Sequence, residues 1–152
     1  MRRQNLVKTF HLQNKPTRLY QIDENNILVG TEGGKIEHWV FNESACKHTY
    51  DAHPESEAGI SAIIELNTTS PLLRGEVGGD FKLIATASEG AKEFRVWKLA
   101  KGILTPYLKI ETTFTNGIKY LLETQDTQLV AANEQTIKFY DFIDKNDKDA
   151  KQ

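Results

Sequence analysis

Three segments of this sequence share one layout: a strand-like run with small residues, a polar turn, and a second strand-like run ending in an aromatic residue. The segments are "ILVGTEGGKIEHWVF", "LIATASEGAKEFRVWKL" and "QLVAANEQTIKFYDF", and their aromatic residues are Trp39, Trp97 and Tyr140. The last two are 43 positions apart. The first two are 58 apart, which becomes 44 if residues 67–80 form a 14-residue inserted loop. Such a chain builds one supersecondary unit several times, which restricts its fold strongly.

Within these units the apolar residues alternate with a period of two, as they do in strands. Eight segments have this pattern and are bounded by Gly, Asn, Asp or Pro. They are residues 26–31, 35–41, 59–66, 81–88, 93–99, 118–124, 128–134 and 136–142. No stretch keeps an apolar face at helical spacing for three turns. The sequence therefore predicts an all-β protein.

Composition narrows the class of protein. A chain of 152 residues with 39% hydrophobic and 26% charged residues is typical of one globular domain. A net charge of −2 gives no support for a nucleic-acid partner, and no apolar run approaches the roughly 20 residues of a membrane helix. The single cysteine, Cys46, cannot form an internal disulfide, which favours a reducing compartment. We therefore expect a cytoplasmic, or alternatively nuclear, location with no membrane contact.

A period of about 40 to 45 residues with four strands per repeat is typical of a β-propeller blade. Over residues 6–142 the chain resembles the WD40-repeat family. Repeats of that family carry a Gly-His pair before the innermost strand and a Trp-Asp pair at the end of the third strand. Here "HTYDAH" places His53 in the expected loop, and the third repeat has Tyr140-Asp141. Trp39 and Trp97 are not followed by Asp, so the pattern is degenerate.

The resemblance also implies a buried hydrogen-bond chain from a turn Asp through the His and a strand Ser or Thr to the Trp indole. In this sequence the chain would join His53 to Trp97 through Thr86 or Ser88. The turn Asp is missing from the first two repeats, where Gly33 and "EGAKE" stand, and Glu134 is the candidate to replace it in the third. These residues are expected to have a structural role.

The repeats account for the two ends of the folded region. With strands a to d running outward from the propeller centre, the third repeat supplies a, b and c but no d. Residues 6–12, "LVKTFHL", match an outer strand, because "KTF" aligns with "HTY" at 48–50. We therefore predict three WD40-like blades over residues 1–143, with 6–12 as an orphan outer strand that pairs with residues 136–142. Residues 144–152 are expected to be a polar tail.

Three blades are too few for a ring, since propellers have about 4 to 8. Three explanations remain open. The chain is the C-terminal part of a longer propeller protein, or two copies form a six-bladed homodimer, or another protein supplies the missing blades.

No motif predicts catalysis. The sequence has no G-x-S-x-G, P-loop or H-E-x-x-H pattern, so we expect no catalytic residue and no cofactor. His38 and His48 fall on neighbouring strands, but zinc needs three or four ligands, so no metal site is predicted. The polar run 144–149 lacks the Gly and Glu of a calcium loop.

The remaining candidate site is a loop face. In propellers the b–c and d–a loops gather on one side, and here that side would carry acidic residues able to steer a basic partner segment. The candidate binding residues are Glu32, Asp51, Glu55, Glu57, Glu89, Lys92, Asn116 and Glu134. The opposite side would carry the inserted loop with Leu72, Leu73 and Val77.

Two classes of function compete. The favoured one is a noncatalytic scaffold that binds proteins or peptides, as the resemblance to WD40 proteins implies. The alternative is a ligand-binding or enzymatic β-barrel in which the repeat is coincidental.

Overall fold

The computed structural model describes residues 4–54, 58–67, 81–112, 114, 117–125 and 128–141. These residues form eleven β-strands and contain no helix, which confirms the predicted all-β class. The strands are β1 (Pro16–Asp23), β2 (Asn26–Thr31), β3 (Lys35–Val40), β4 (Ala45–Asp51), β5 (Ile60–Glu65), β6 (Phe81–Ser88), β7 (Glu93–Ala100), β8 (Ile103–Glu111), β9 (Tyr120–Glu123), β10 (Leu129–Ala132) and β11 (Ile137–Tyr140).

The strands form three antiparallel sheets in chain order. Sheet 1 has the order β1-β2-β3-β4, sheet 2 the order β5-β6-β7-β8, and sheet 3 the order β9-β10-β11. The first strands of neighbouring sheets lie side by side, β1 against β5 and β5 against β9. This arrangement is compatible with propeller-like blades, and the three sheets do not close into a ring.

The contact between first strands repeats the same hydrogen bond. The Thr17 hydroxyl donates to the carbonyl of Ile60 over 2.7 Å, which joins sheet 1 to sheet 2. The Ser61 hydroxyl donates to the carbonyl of Ile118, which joins sheet 2 to the segment leading into sheet 3. The same type of hydroxyl-to-carbonyl hydrogen bond at both contacts indicates that the two pairs of neighbouring sheets pack with the same local geometry.

Sheet 2 is buried on both faces because β6 alternates between two cores. Ile84 belongs to the core between sheets 1 and 2, together with Trp97. Ala85 belongs to the core between sheets 2 and 3, together with Phe94. A strand with apolar residues on both faces is expected where sheets pack on either side.

The predicted segments and the observed strands differ in several places. Three observed strands, β1, β4 and β8, are absent from the eight predicted segments, although two complete four-strand repeats require them. Of these, β4 was expected from the match between "KTF" and "HTY". Residues 4–12 have no strand assignment in the single chain, and they lie against sheet 1. Residues 68–80, with Leu72, Leu73 and Val77, and the tail 144–152 lie outside the described residues.

Candidate functional site

The hydrogen-bond chain expected from the sequence lies between sheets 1 and 2, with Thr86 as its middle member. The Trp97 indole Nε1 donates to Thr86 Oγ1 over 3.0 Å, and His53 Nε2 lies 3.0 Å from the same oxygen. All three side chains are buried. Ser88, the other candidate, donates its hydroxyl to the carbonyl of Gly59 instead. Thr86 and Ser88 share a face of β6, and the register, in which Ile84 pairs with Trp97, places Thr86 within reach of the indole.

The other ring nitrogen of His53 and its pKa describe the electrostatic state of this buried imidazole. Its Nδ1 has no hydrogen-bond partner among the described residues. Burial, followed by the nearby positive charge of Arg95, lowers the pKa of His53 to about 4. The imidazole is therefore neutral at pH 7, and it acts as a buried hydrogen-bonding group rather than as an acid or base open to a substrate.

The described carboxylates of the predicted acidic loop face are paired with lysine side chains. Glu32 lies 3.6 Å from Lys15 Nζ, and Asp51 lies 3.1 Å from Lys35 Nζ. The Lys119 ammonium lies 3.2 Å from a Glu134 oxygen and 4.0 Å from a Glu89 oxygen, and the Glu134 carboxylate raises the pKa of Lys119. These pairs reduce the net negative field that would steer a basic segment.

Of the other predicted loop residues, Lys92 lies within the described part of the chain. Lys92 is exposed, and its carbonyl accepts the amide of Thr112 over 2.8 Å. Glu55, Glu57 and Asn116 lie outside the described residues. Glu89, Lys119 and Glu134 line a cleft of about 450 Å³. The structure thus brings part of the predicted set together, in ion pairs rather than as a field of one sign.

The histidine pair forms a ring-stacking contact between β3 and β4. His38 and His48 are directly paired across the strands, and their rings stack with centroids 5.9 Å apart. His38 Nε2 lies 2.8 Å from the side-chain oxygen of Asn26. Burial lowers the pKa of His38, and the charge of His48 adds to this effect. Among the described residues, no group of three or more His, Cys, Asp or Glu side chains is placed to hold a metal ion.

The sequence reasoning missed an exposed apolar face of sheet 3. Phe139 pairs with Val130 and Ile137 pairs with Ala132, so these four side chains share one face. On β9, Leu122 and Tyr120 extend the same face. Phe139 is 65% exposed and Ile137 is 64% exposed. The signal was present in the sequence, since "IKFY" and "YLLE" carry apolar residues at both alternating positions.

The strand registers show what corresponds to this face in the other sheets. Trp39, Trp97 and Tyr140 pair with Ile27, Ile84 and Leu129, so the three aromatic residues are equivalent by register. Counting back from them makes Phe139 equivalent to His38 and Val96, and makes Ile137 equivalent to Ile36 and Phe94. The four counterparts are all buried. Ile36 packs in the core between sheets 1 and 2, and Phe94 and Val96 pack in the core between sheets 2 and 3. Only sheet 3, among the sheets described, has this face open.

The first sheet has an open face on its other side. Leu19 pairs with Val29, as Ile63 pairs with Thr86 in sheet 2. Ile63 is buried against sheet 1, whereas Leu19 is 72% exposed. Each contact between neighbouring sheets joins one face of the first sheet to the other face of the next. Sheet 3 exposes the first kind of face, and sheet 1 exposes the second kind.

The N-terminal segment occupies one margin of that open face. Phe10 stacks on Trp39 with ring centroids 4.9 Å apart. Tyr50 on β4 likewise contacts Trp97 on β7, with centroids 6.3 Å apart. The alignment of "KTF" with "HTY" makes Phe10 the equivalent of Tyr50. Phe10 therefore takes the place on sheet 1 that Tyr50, from the outer strand β4, takes on sheet 2.

No family model matches this sequence, and no curated protein matches it either. The part of the chain that the structure covers has no helix long and apolar enough to cross a bilayer.

Proposed function

We propose that this chain is a noncatalytic protein–protein interaction module made of WD40-like propeller blades, and that its end faces receive further blades. The observation that carries the proposal is the open apolar face of sheet 3. The equivalent faces of sheets 1 and 2 are each buried by the next sheet. Contiguous exposed apolar faces, as distinct from single exposed apolar residues, mark interaction surfaces in soluble proteins.

The hydrogen-bond chain supports the WD40-like part of the proposal. His53, Thr86 and Trp97 occupy the positions that the family resemblance implies, in the contact between two neighbouring sheets. The equivalent of Thr86 in sheet 1 is Val29, which has no hydroxyl, and the Trp39 indole donates to Glu37 instead. The arrangement is thus present between sheets 1 and 2 and is replaced on the open face of sheet 1.

The distribution of the cores favours this module over the β-barrel alternative. A barrel with an interior pocket needs one sheet closed around one cavity. Here the described strands form three separate sheets, and their apolar side chains pack in two clusters between sheets. The titratable side chain with the largest lowering of pKa, His53, is enclosed in one of these contacts.

The mass of the chain in solution tests the proposal. We expect sedimentation at micromolar concentration to give a species heavier than the 17.2 kDa of one chain. Phe139→Ser should shift the mass toward that of one chain by removing apolar area from the face. Ile103→Ser is a matched control, because Ile103 is an exposed apolar residue on the outermost strand of sheet 2. A compact, cooperatively unfolding monomer for the unaltered chain would contradict the proposal.

A further inference from the structure

We infer that the partner of the open sheet 3 is a second copy of this chain, which adds its residues 6–12 as the fourth strand of that sheet. This inference rests on the proposed function and names the partner that it leaves open. It has two parts: a strand pairing at the edge of β11, and a face contact between sheet 3 of one copy and sheet 1 of the other.

The edge of sheet 3 provides the first part. In sheets 1 and 2 the third strand is covered by an outer strand, β4 or β8. Among the described residues, the third strand of sheet 3, β11, has β10 as its only strand neighbour. An uncovered edge presents unpaired backbone amides and carbonyls, which readily accept another strand.

The position of the N-terminal segment provides the second part. Phe10 contacts Trp39 of sheet 1, and Tyr50 contacts Trp97 of sheet 2; the first pair of rings is stacked and the second is tilted. The segment therefore lies beside sheet 1 at the place of an outer strand that belongs to a preceding sheet. Among the described residues of the single chain, no inner strands accompany this outer strand beside sheet 1. Sheet 3 of a second copy has three inner strands and, in the described part of the chain, no outer strand, so it can supply them.

The register of the added strand follows from sheet 1. There Tyr50 pairs with Ile36, Thr49 with Glu37, and His48 with His38. Replacing each residue by its equivalent pairs Phe10 with Ile137, Thr9 with Lys138, and Lys8 with Phe139. Paired residues in antiparallel strands have their side chains on the same face.

This register is consistent with the face contact. Phe10 points toward Trp39 of its own sheet 1. Its predicted partner Ile137 belongs to the open face of sheet 3, which in the assembly would cover that same sheet 1. One pairing therefore places the apolar residues of the edge and of the face in a single contact. Tyr50 and Ile36 show the same relation within the chain, because both pack in the core between sheets 1 and 2.

The apolar residues left open at the two ends are complementary in position. The face of sheet 3 around Phe139 would cover the side of sheet 1 that carries Leu19 and Trp39. A twofold axis makes this contact twice, because each copy gives one face and receives the other. Two copies then close a ring of six sheets, within the range of about 4 to 8 blades known for propellers. A closed ring leaves neither face open.

Two single-cysteine chains test the pairing directly. Both carry Cys46→Ser, one has Thr9→Cys, and the other has Lys138→Cys. Directly opposite Cα atoms lie about 4.5–5.5 Å apart, within disulfide reach. We expect a disulfide-linked pair of chains only when the two are mixed and oxidised. Circular dichroism checks that each variant is folded.

The register control replaces Lys138→Cys by Asp141→Cys, which is three residues away along the strand and thus about 10 Å out of register. We expect at least tenfold less linked product from it. A chain carrying both Thr9→Cys and Lys138→Cys that links only within itself would overturn the inference. Failure to link at any register, with a native mass above one chain, would overturn it and leave the proposed function standing. A native mass of one chain would overturn both.

Discussion

The indole nitrogen of Trp97 lies 3.0 Å from the hydroxyl oxygen of Thr86, inside the contact between sheets 1 and 2. The same hydroxyl also meets the imidazole of His53. One small side chain therefore supplies the partner for two buried polar groups. Because such groups are costly to leave unpaired, Thr86 is where the stability of this contact is most easily probed.

Thr86→Val keeps the shape of the side chain and removes its hydroxyl. The Trp97 N–H and the His53 Nε2 then lose their shared partner, and each unpaired buried group costs about 1–3 kcal/mol. We expect urea unfolding at fixed protein concentration to show a loss of about 2–4 kcal/mol. Thr86→Ser, which keeps the hydroxyl and loses one methyl group, should cost about 1 kcal/mol. Equal losses for the two variants would contradict this role of the hydroxyl.

Trp97→Ala removes the aromatic ring from the core between sheets 1 and 2. Truncation of a buried Trp costs about 3–5 kcal/mol through lost apolar contacts and the cavity that remains. Trp97→Phe keeps much of the ring and should cost clearly less. The free energy of unfolding, measured at the same protein concentration for all three chains, checks the expectation. A Trp97→Ala chain that melts like the parent would mean that Trp97 is not part of this core.

The pKa of His53 predicts a loss of stability in mild acid. Its folded pKa of about 4 lies below the ordinary 6.5 of the unfolded chain, so below pH 6.5 the unfolded chain takes up a proton that the folded chain does not. From pH 7 to pH 5 this difference lowers the free energy of unfolding by about 2 kcal/mol. Other groups also titrate, so the measurement compares the unaltered chain with His53→Gln. The Gln variant should lack this part of the pH dependence, and identical pH profiles would refute the assignment.

Alanine substitutions at two glycines with positive φ distinguish the cost of backbone strain from the cost of steric crowding. At Gly117, with φ +83°, an added Cβ would lie 1.7 Å from the carbonyl oxygen of Glu89. At Gly102, with φ +77°, an added Cβ meets nothing within 4 Å. Gly102→Ala should cost about 1–2 kcal/mol from backbone conformation alone. Gly117→Ala should cost more, because the loop must also move away from the turn after β6, and thermal melts of both variants compare the two costs.

The strands that carry the repeat could be predicted from the sequence because their apolar residues alternate. Residues 26–31 and 81–88 are strands with the predicted bounds. The pattern is weaker in β1 and β8, where half-exposed and polar residues interrupt the alternation and Pro106 lies within β8. These two strands follow from the number of strands in a repeat, and the local pattern does not reveal them.

The candidate site was less accessible to sequence reasoning because it depends on register and on distant contacts. Period two places Thr86 and Ser88 on the same face, and only the pairing of Ile84 with Trp97 distinguishes them. The acidic loop residues were expected to act together, but the lysine partners come from other parts of the chain, as Lys119 does for Glu89. The open face of sheet 3 became visible only when its equivalents in the other sheets were seen to be covered.

The most direct test of the central claim, that sheet 3 is an incomplete blade covered by further strands, is hydrogen exchange at the amides of Ile137–Tyr140. Amides of β6, which are paired on both sides, serve as the internal reference. In the assembled chain we predict protection of every backbone amide of β11, including those that point away from β10, and loss of that protection in Phe139→Ser. If the outward amides of β11 exchange as freely in the unaltered chain as in Phe139→Ser, no strand covers this edge and the account is wrong.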